Sequence, residues 1–534
     1  MVGEVLENAR STTGTQVRQK DVSSLSGMCA ICIHDCPVLC EIGKSAFRGR
    51  EVLYPLPEQF GESTTASNKD YFLDWSHFQI EVRLQGAEGI EPDSDKALFP
   101  NVSIASVAGG VPLKLPVVIA GLGSTEVARR NWDGLAVGSA LAGVIMTVGE
   151  NVCGMDPNSR FEDGKVRHSE DLAYRVRKYR EYWDGVHGDI VVQTNVEDQR
   201  FGVDLYAIKE LGVNIIERKW GQGAKAIGGE VRIDSLERAL ELKRRGYHLM
   251  PDPEDPAVQE AFLSGAFRTF ERHSRVGMPD LDSFVEDVAW LRQNGAKKVF
   301  LKSGAYRAAD LAFTLKCASA AKIDMLTLDG AGGGTGMSPV PMMNECGTPT
   351  IYFLAQILEG IRILHRQGKH VPDITFAGGI VNETQMYKAI AMSNLGDGCG
   401  PRIKAIGMAR APLTAVMKAD YFAQLAAEGK LPANFAKTYG SKPQQFFIAE
   451  SELRHRYDGR IGTAIPWSAV GLYTYFNDRL GTGLKQLMAG ARKFRLDLLD
   501  RSDIVALTER ASKVTGIPTI EAVGTAAMRT ILEA

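Results

Sequence analysis

Eight short apolar runs dominate the middle of this 534-residue chain, and each ends in a polar or glycine-containing loop. Runs of four to eight residues with nearly continuous apolar character are typical of parallel strands buried on both faces. Helical patterns such as Asp310–Lys322 and Asn382–Asn394 separate them. The runs are Pro116–Gly121, Gly143–Glu150, Asp189–Asn195, Val213–Trp220, Lys298–Gly304, Asp324–Gly330, Ile374–Gly379 and Ala405–Arg410.

Strand and helix alternating eight times predict an α/β fold, a (β/α)8 TIM barrel. An open doubly wound sheet is the alternative, and the number of runs favours closure. The connection after the fourth run is long, and we expect it to carry helices of its own, including Asp282–Gly295. We predict an N-terminal region (1–110), the barrel (111–430) and a helical C-terminal extension (431–534).

The composition is that of a soluble globular protein, with 44% hydrophobic and 24% charged residues. A formal net charge of −2 gives no general attraction to nucleic acid or anionic membrane, so we expect neither partner. No apolar run is long enough to span a bilayer, and the first twenty residues lack the apolar core of a signal peptide. We therefore expect a cytoplasmic protein, with the amphipathic C-terminal part packing on the barrel or forming homo-oligomer contacts.

Four of the eight cysteines, Cys29, Cys32, Cys36 and Cys40, lie within twelve residues. Four thiolates this close in sequence can surround one metal centre. Zinc also accepts four thiolates, but its structural sites usually use two separated cysteine pairs. The single compact run, with Pro37 after the third cysteine, favours a [4Fe–4S] cluster; zinc and a purely structural role are the alternatives.

The carboxyl ends of the strands of a TIM barrel carry its chemistry, and the loops after strands seven and eight commonly bind phosphate. Backbone N–H groups near Gly378, Gly379, Gly407, Met408 and Arg410 are therefore predicted to bind the phosphate of a flat cofactor. The glycine-rich stretch Asp329–Pro339 follows strand six and offers that cofactor bare backbone. Further cofactor-binding candidates are Gly121, Ser124, Gln193, Asp329, Gly332, Gly333 and Gly334.

Glu150 ends the second run, where it is predicted to bind an ammonium or imine group or to move protons; a helix-capping carboxylate is the alternative. Arg307 is predicted either to bind a substrate carboxylate, for which its guanidinium fork is suited, or to be a solvated residue at a helix start.

Several segments resemble the FMN-binding synthase domain of glutamate synthase, in matching order over roughly residues 100–430. The segment KWGQGAKAIGGE (Lys219–Glu230) resembles the family's Q-G-A-K stretch. KVFLKSG followed by LTLDGAGGGTGMSP resembles its lysine strand and its G-G-T-G-x-S-P loop. The segment from Phe376 to Pro412 resembles its FMN phosphate-binding region.

This resemblance implies a barrel that holds FMN and reduces an imine formed from 2-oxoglutarate and ammonia, or a related amine. It implies that Lys302 contacts flavin and substrate. It also implies that Gln222 and Lys225 bind substrate or flavin, with Lys225 among the catalytic groups. Thr335 and Ser338 are expected to bind substrate or to hold the glycine loop.

The chain departs from the family in two places. No glutaminase-type segment with an N-terminal cysteine nucleophile precedes the barrel, so we expect ammonia to arrive free or from a glutaminase-like partner. The family's cluster cysteines follow strand eight, where this chain has none, so the N-terminal quartet is expected to deliver electrons from ferredoxin or a reductase subunit. The alternative function is a flavin-assisted isomerase or an electron-relay subunit.

The cysteine cluster generates a test. Protein purified without oxygen should contain about four iron atoms and about four acid-labile sulfides per chain, as four clustered thiolates imply. Cys36→Ser should remove the broad visible absorption of the cluster and spare most of the flavin absorption. Stoichiometric zinc without iron in anaerobically purified protein would contradict the assignment.

Overall fold

The computed structural model describes residues 41–50, 67, 69–223, 227–228, 230–334, 338–457 and 459–534. At its centre, eight parallel strands close into a barrel in sequence order. The strands are β1 (Val117–Leu122), β2 (Ile145–Val148), β3 (Ile190–Thr194), β4 (Ile215–Lys219), β5 (Lys298–Gly304), β6 (Met325–Asp329), β7 (Asp373–Ala377) and β8 (Ile403–Met408).

The predicted TIM barrel is confirmed, and each predicted apolar run overlaps one barrel strand, with boundaries that differ by one or two residues at β1, β7 and β8. The reason is burial on both faces: every residue of β2, β3 and β6 is buried, so these strands show no polar alternation. An outer layer of helices covers the strands. Its main members are α1 (Trp132–Ala142), α2 (Glu170–Arg180), α3 (Val203–Lys209), α4 (Leu281–Gln293), α5 (Ala308–Ala320), α6 (Thr350–Arg366), α7 (Glu383–Met392) and α8 (Arg410–Ala427).

A β-hairpin closes the amino-terminal end of the barrel. Its strands are Ser106–Ala108 and Val111–Leu113, and its buried side chains join an apolar layer that includes Phe300 of β5 and Met325 of β6. The turn at Gly109 has φ of +58°, and its amide donates a hydrogen bond of 2.9 Å to Asp373. With this end filled, the opposite end is the open mouth of the barrel.

The connection between β4 and β5 contains a small antiparallel sheet in addition to helices. The sheet strands are Glu230–Ile233, His248–Met250 and Phe270–His273, and the helices before α4 are Leu236–Arg244 and Pro256–Leu263. The predicted helix Asp282–Gly295 is observed as α4. The sheet was not foreseen, because strands such as EVRI and FERH are short and rich in charge.

Segments that precede and follow the barrel in sequence pack against each other beside it. Strand Phe78–Ile80 pairs antiparallel with Ile504–Ala506, and Lys493 bonds Glu88 at 2.7 Å. The described N-terminal helices are Glu41–Arg48 and the 3-10 turns Trp75–His77 and Phe99–Asn101. After α8 come Ala433–Tyr439, Pro443–Phe446, Glu450–Arg456, Trp467–Thr474, a π-helix at Tyr475–Gly481, Thr482–Gly490, Glu509–Thr515 and Ile520–Leu532.

Shorter elements complete the barrel loops. They are the helices Glu126–Arg130, Val152–Met155, Val196–Phe201 and Val340–Glu345, and the hairpin strands Arg160–Glu162 and Lys165–His168. Within the described part of the chain, no helix combines the length and the apolar character that crossing a membrane requires.

Gly109 provides a test of how the barrel is closed. A Cβ atom there would lie 2.6 Å from the Phe300 ring and 2.9 Å from Cβ of Met325. We expect Gly109→Ala to lower the free energy of unfolding by about 1 kcal/mol for the positive φ and by about 1–3 kcal/mol more for the clash.

The matched control is Gly368→Ala, because Gly368 has φ of +64° and no atom within 4 Å of an added Cβ. Only the backbone cost should remain there. Equal losses for the two variants in urea unfolding would show that the hairpin does not pack tightly under the barrel.

Candidate active site

A buried polar layer occupies the barrel interior below its mouth. Glu217 of β4 accepts a hydrogen bond of 2.6 Å from Nε2 of Gln193 on β3 and one of 3.2 Å from the hydroxyl of Thr327 on β6. Since β4 and β6 are not neighbours in the barrel, side chains that meet in this way must lie inside it. Lys302 of β5 is only 4% exposed, and its positive charge acts on the same Glu217 carboxylate.

The electrostatics of this layer are set by burial and by one lysine. Burial raises the pKa of the Glu217 carboxyl above its ordinary value, and the charge of Lys302 is the largest effect that opposes the rise. Nζ of Lys302 also lies 3.5 Å from Oδ2 of Asp329, at the end of β6. Lys302 is therefore a buried cation held between two carboxyl groups.

Gln193 has an unsatisfied acceptor at this site. Its side-chain oxygen is buried and has no hydrogen-bond partner among the described residues. A Cβ atom at Gly121 would lie 2.6 Å from that oxygen, so only glycine lets the end of β1 approach the amide. A buried acceptor without a partner costs free energy unless a ligand donates to it.

A second charged pair lies at the mouth, where Nζ of Lys219 bonds the Glu150 carboxylate at 2.7 Å. With Asn195, Gln222 and Arg275 they line a recess of about 60 Å³. The predicted Glu150 thus lies at the carboxyl ends of the strands: it follows β2 and pairs with Lys219 of β4.

Behind this pair, the loop after β2 is fixed by Asp198. The Asp198 carboxylate accepts a hydrogen bond of 3.0 Å from the backbone N–H of Asn151. Asn151 has φ of +66°. Burial raises the pKa of Asp198 to about 7, against the lowering effect of its two backbone hydrogen bonds.

The loop after β4 folds over the ends of β5 and β6. A Cβ at Gly304 would lie 2.5 Å from the Gln222 carbonyl, and one at Gly223 would lie 2.3 Å from the Gly330 carbonyl. Gln222 and Gly223, the described residues of the Q-G-A-K segment, therefore lie in direct backbone contact with the ends of β5 and β6. Lys225, the last residue of that segment, lies outside the described residues, as do Thr335 and the cysteines Cys29, Cys32, Cys36 and Cys40.

The glycine-rich loop after β6 packs against the loop after β7. A Cβ at Gly332 would lie 2.6 Å from the Gly378 carbonyl, and one at Gly379 would lie 2.9 Å from the Gly332 carbonyl. Gly378 and Gly379 have φ of +133° and +87°. At Gly333 an added Cβ would meet the Asp329 carboxylate at 2.6 Å. Contact between the two loops thus accounts for glycine at Gly332 and Gly379, and contact with Asp329 accounts for it at Gly333.

The predicted phosphate set is assembled at the ends of two neighbouring strands. Gly378 and Gly379 follow β7, and Gly407 and Met408 end β8. Gly407 is needed for close packing, since an added Cβ would lie 2.9 Å from Cβ of Ala377. Arg410 is the first residue of α8, an 18-residue helix whose amino terminus faces the same edge.

The remaining candidates differ in their placement. Ser338 is fully buried beyond the glycine loop, whereas Gly334 is exposed and Ser124 is half-buried before the helix Glu126–Arg130. The Arg307 side chain is 80% exposed and pairs with Asp310 in the first turn of α5. The solvated helix-start interpretation of Arg307 therefore describes the structure, and the carboxylate-binding interpretation gains no support from it.

Glu217 and Thr327 are members of the buried layer that the sequence analysis did not select. The available signal was an acidic residue inside the apolar run VNIIERKW. Alternation along β4 turns Glu217 and Lys219 inward, while Arg218 turns outward and pairs with Asp204 and Asp287 at 2.7 and 2.6 Å.

The resemblance to glutamate synthase is confirmed by a family comparison. Residues 269–397 match the family described as the conserved region in glutamate synthase. This segment contains Lys302, the glycine-rich loop and the Gly378–Gly379 pair. No curated protein sequence matches the chain significantly.

Solved structures with similar folds have low sequence identity to this chain. A mutant flavocytochrome b2 with benzoylformate has 12% identity and a TM-score of 0.43, covering 80% of this chain and 76% of its own. A lactate oxidase from Pediococcus acidilactici has 14% identity and a TM-score of 0.40, covering 79% and 81%. An (S)-mandelate dehydrogenase has 15% identity and a TM-score of 0.39, covering 81% and 89%.

Glu217 predicts a pH dependence of stability. Its pKa is raised on folding, so the native state keeps a proton that the unfolded chain releases above about pH 4.3. This contribution to the free energy of unfolding is complete at lower pH and declines as the pH rises toward the native pKa. We expect Glu217→Gln to remove that decline in urea unfolding measured from pH 4 to 8.

Lys302→Met should extend the decline to higher pH, because the lysine is what restrains the pKa of Glu217. The control is Glu162→Gln, at a carboxylate whose side chain is 71% exposed. Parallel stability profiles for wild type and Glu217→Gln would contradict a raised pKa at this position.

Proposed function

We propose that this protein is an FMN-dependent oxidoreductase of the glutamate synthase type. The observation that carries the proposal is Lys302: a buried lysine at the barrel mouth, between Glu217 and Asp329, inside the segment that matches the conserved region in glutamate synthase. Burying a cation is costly unless negative charge surrounds it, and a site that keeps one is suited to stabilising charge during a reaction.

The residues around Lys302 fit a flavin. The unpartnered Gln193 oxygen, against which Gly121 packs, would accept a hydrogen bond from a ligand N–H group. Gly378, Gly379 and the amino terminus of α8 would hold the phosphate, since backbone N–H groups there favour an anion. Bound FMN would supply reversible two-electron, hydride-transferring chemistry.

The reaction we propose is reduction of the imine formed when ammonia condenses with 2-oxoglutarate and releases water. The imine carbon gains a hydride and the nitrogen gains a proton, giving glutamate; a related amine would follow the same balance. The Lys302 charge stabilises negative charge that develops beside it. Glu217, whose pKa is raised, and Glu150, paired with Lys219, are the carboxyl groups available for proton transfer.

Electron supply is proposed to run through a [4Fe–4S] cluster on Cys29, Cys32, Cys36 and Cys40. Support comes from the described segment that follows immediately. Helix Glu41–Arg48 starts next to Cys40, and Arg50 pairs with Glu271 of the small sheet between β4 and β5. That same connection contributes Gln222 to the mouth. Ferredoxin or a reductase subunit would reduce the cluster.

The proposal predicts turnover and its dependence on Lys302. Protein reconstituted with FMN and iron–sulfur cluster should oxidise reduced ferredoxin when both 2-oxoglutarate and ammonium are present, and should form glutamate. Lys302→Gln should lower the rate about 100-fold or more, the usual cost of removing one charge-stabilising group. Flavin reoxidation and glutamate are measured together.

Lys298→Gln is the matched control. Lys298 lies on the same strand, β5, but at its first residue, next to the hairpin that closes the amino-terminal end of the barrel. It should retain normal turnover. Flavin and cluster that are both reduced by ferredoxin, without glutamate or any other aminated product, would indicate an electron-relay subunit instead.

A further inference from the structure

A second cavity lies outside the barrel, between α8 and the C-terminal helices. Its volume is about 560 Å³, within the range of small-molecule sites. Its apolar wall is aromatic, and the rings contact one another: Phe422 stacks on Phe435 with centroids 4.6 Å apart, and Phe446 lies 5.2 Å from Phe435. Phe447, Tyr439 and Tyr475 complete the wall.

One carboxylate breaks this apolar lining. Asp478 lines the cavity, and its Oδ2 atom is buried with no hydrogen-bond partner among the described residues. Burial, followed by the charge of Glu452, raises the pKa of Asp478 above its ordinary value. The structure therefore holds an acidic group against an aromatic surface, and no cation of the described residues compensates its charge.

The two basic residues that line the cavity, Arg479 and Lys418, do not compensate the charge of Asp478. Arg479 bonds the Glu383 carboxylate at 2.8 Å. Lys418 is exposed at the rim, and neither its charge nor that of Arg479 lowers the pKa of Asp478. Asp478 also lies in the π-helix Tyr475–Gly481, a widened turn of a kind that is frequent at functional sites.

We propose that this cavity binds a small organic cation, an alkylated amine or ammonium compound, with Asp478 as its counter-ion. Aromatic faces attract cations through the negative potential of their rings, and the attraction grows when water is excluded. A carboxylate at the same wall supplies the opposite charge. The site is separate from the barrel mouth and does not depend on the oxidoreductase proposal.

The test is direct binding of benzyltrimethylammonium, compared with benzyl alcohol as a probe that keeps the ring and loses the charge. In calorimetric titration of the full-length holoprotein, the cation should bind and the alcohol should bind at least about tenfold more weakly, as loss of a charged partner implies. Asp478→Asn should remove this preference. It should leave the thermal unfolding midpoint unchanged or higher, because it removes an uncompensated buried charge.

Tyr439→Ser is the second variant, since Tyr439 lines the cavity but is 57% exposed and so contributes little to folding; it should weaken cation binding. Lys418→Gln should leave binding unchanged or tighter, and Glu428→Gln, beyond the end of α8, should not alter it. Equal binding of cation and alcohol, or full cation affinity in Asp478→Asn, would overturn the proposal. So would loss of affinity in Lys418→Gln. FMN content, measured in parallel, reports separately on the barrel site.

Discussion

The placement of opposite charges inside the barrel is the constraint on which the candidate site depends. Lys302 and Glu217 come from adjacent strands and are both almost completely buried, so each would be costly without the other. Gln193 and Thr327 satisfy the two Glu217 oxygens. A one-residue change of register in β4 would turn Glu217 outward and Arg218 inward, which would place a second cation beside Lys302 and remove the Glu217 carboxyl from the layer. The strand register is therefore a condition of the chemistry as well as of the fold.

Close backbone contact is the second constraint, and it explains the glycine-rich loop. The loops after β4, β6 and β7 meet over the mouth with separations that leave no room for side chains at Gly223, Gly332 or Gly378. The loops therefore hold one another in place. This arrangement keeps the mouth narrow and formed in advance, which reduces the entropy that a bound cofactor and substrate must lose in binding.

The sequence predicted the barrel because its strands are buried on both faces, and such strands are recognisable as apolar runs. It predicted Glu150 and Gln193 from their positions at strand ends, and Lys302 from the resemblance of its strand to the lysine strand of glutamate synthase. It did not identify Glu217, because the local pattern does not show which residues of Glu217–Lys219 face into the barrel. The register of β4 with β3 and β5 decides that. The small sheet between β4 and β5 escaped prediction because its strands are short and charged. Arg307 is exposed and pairs with Asp310, three residues further along the chain. The sequence alone did not decide between this arrangement and a substrate contact.

Helix α8 joins the two cavities physically, and its geometry argues that they are independent. It begins at Arg410, beside the proposed phosphate site, and lines the aromatic cavity from Ala415 to Phe422. The five residues from Arg410 to Ala415 span about 7.5 Å of α-helix. Coupling between them would require an element with two alternative arrangements. Helix α8 packs closely against helix Trp467–Thr474, since a Cβ atom added at Gly471 would lie 2.3 Å from Cβ of Ala419. Occupation of the aromatic cavity is therefore expected to stabilise this packing without displacing the barrel loops.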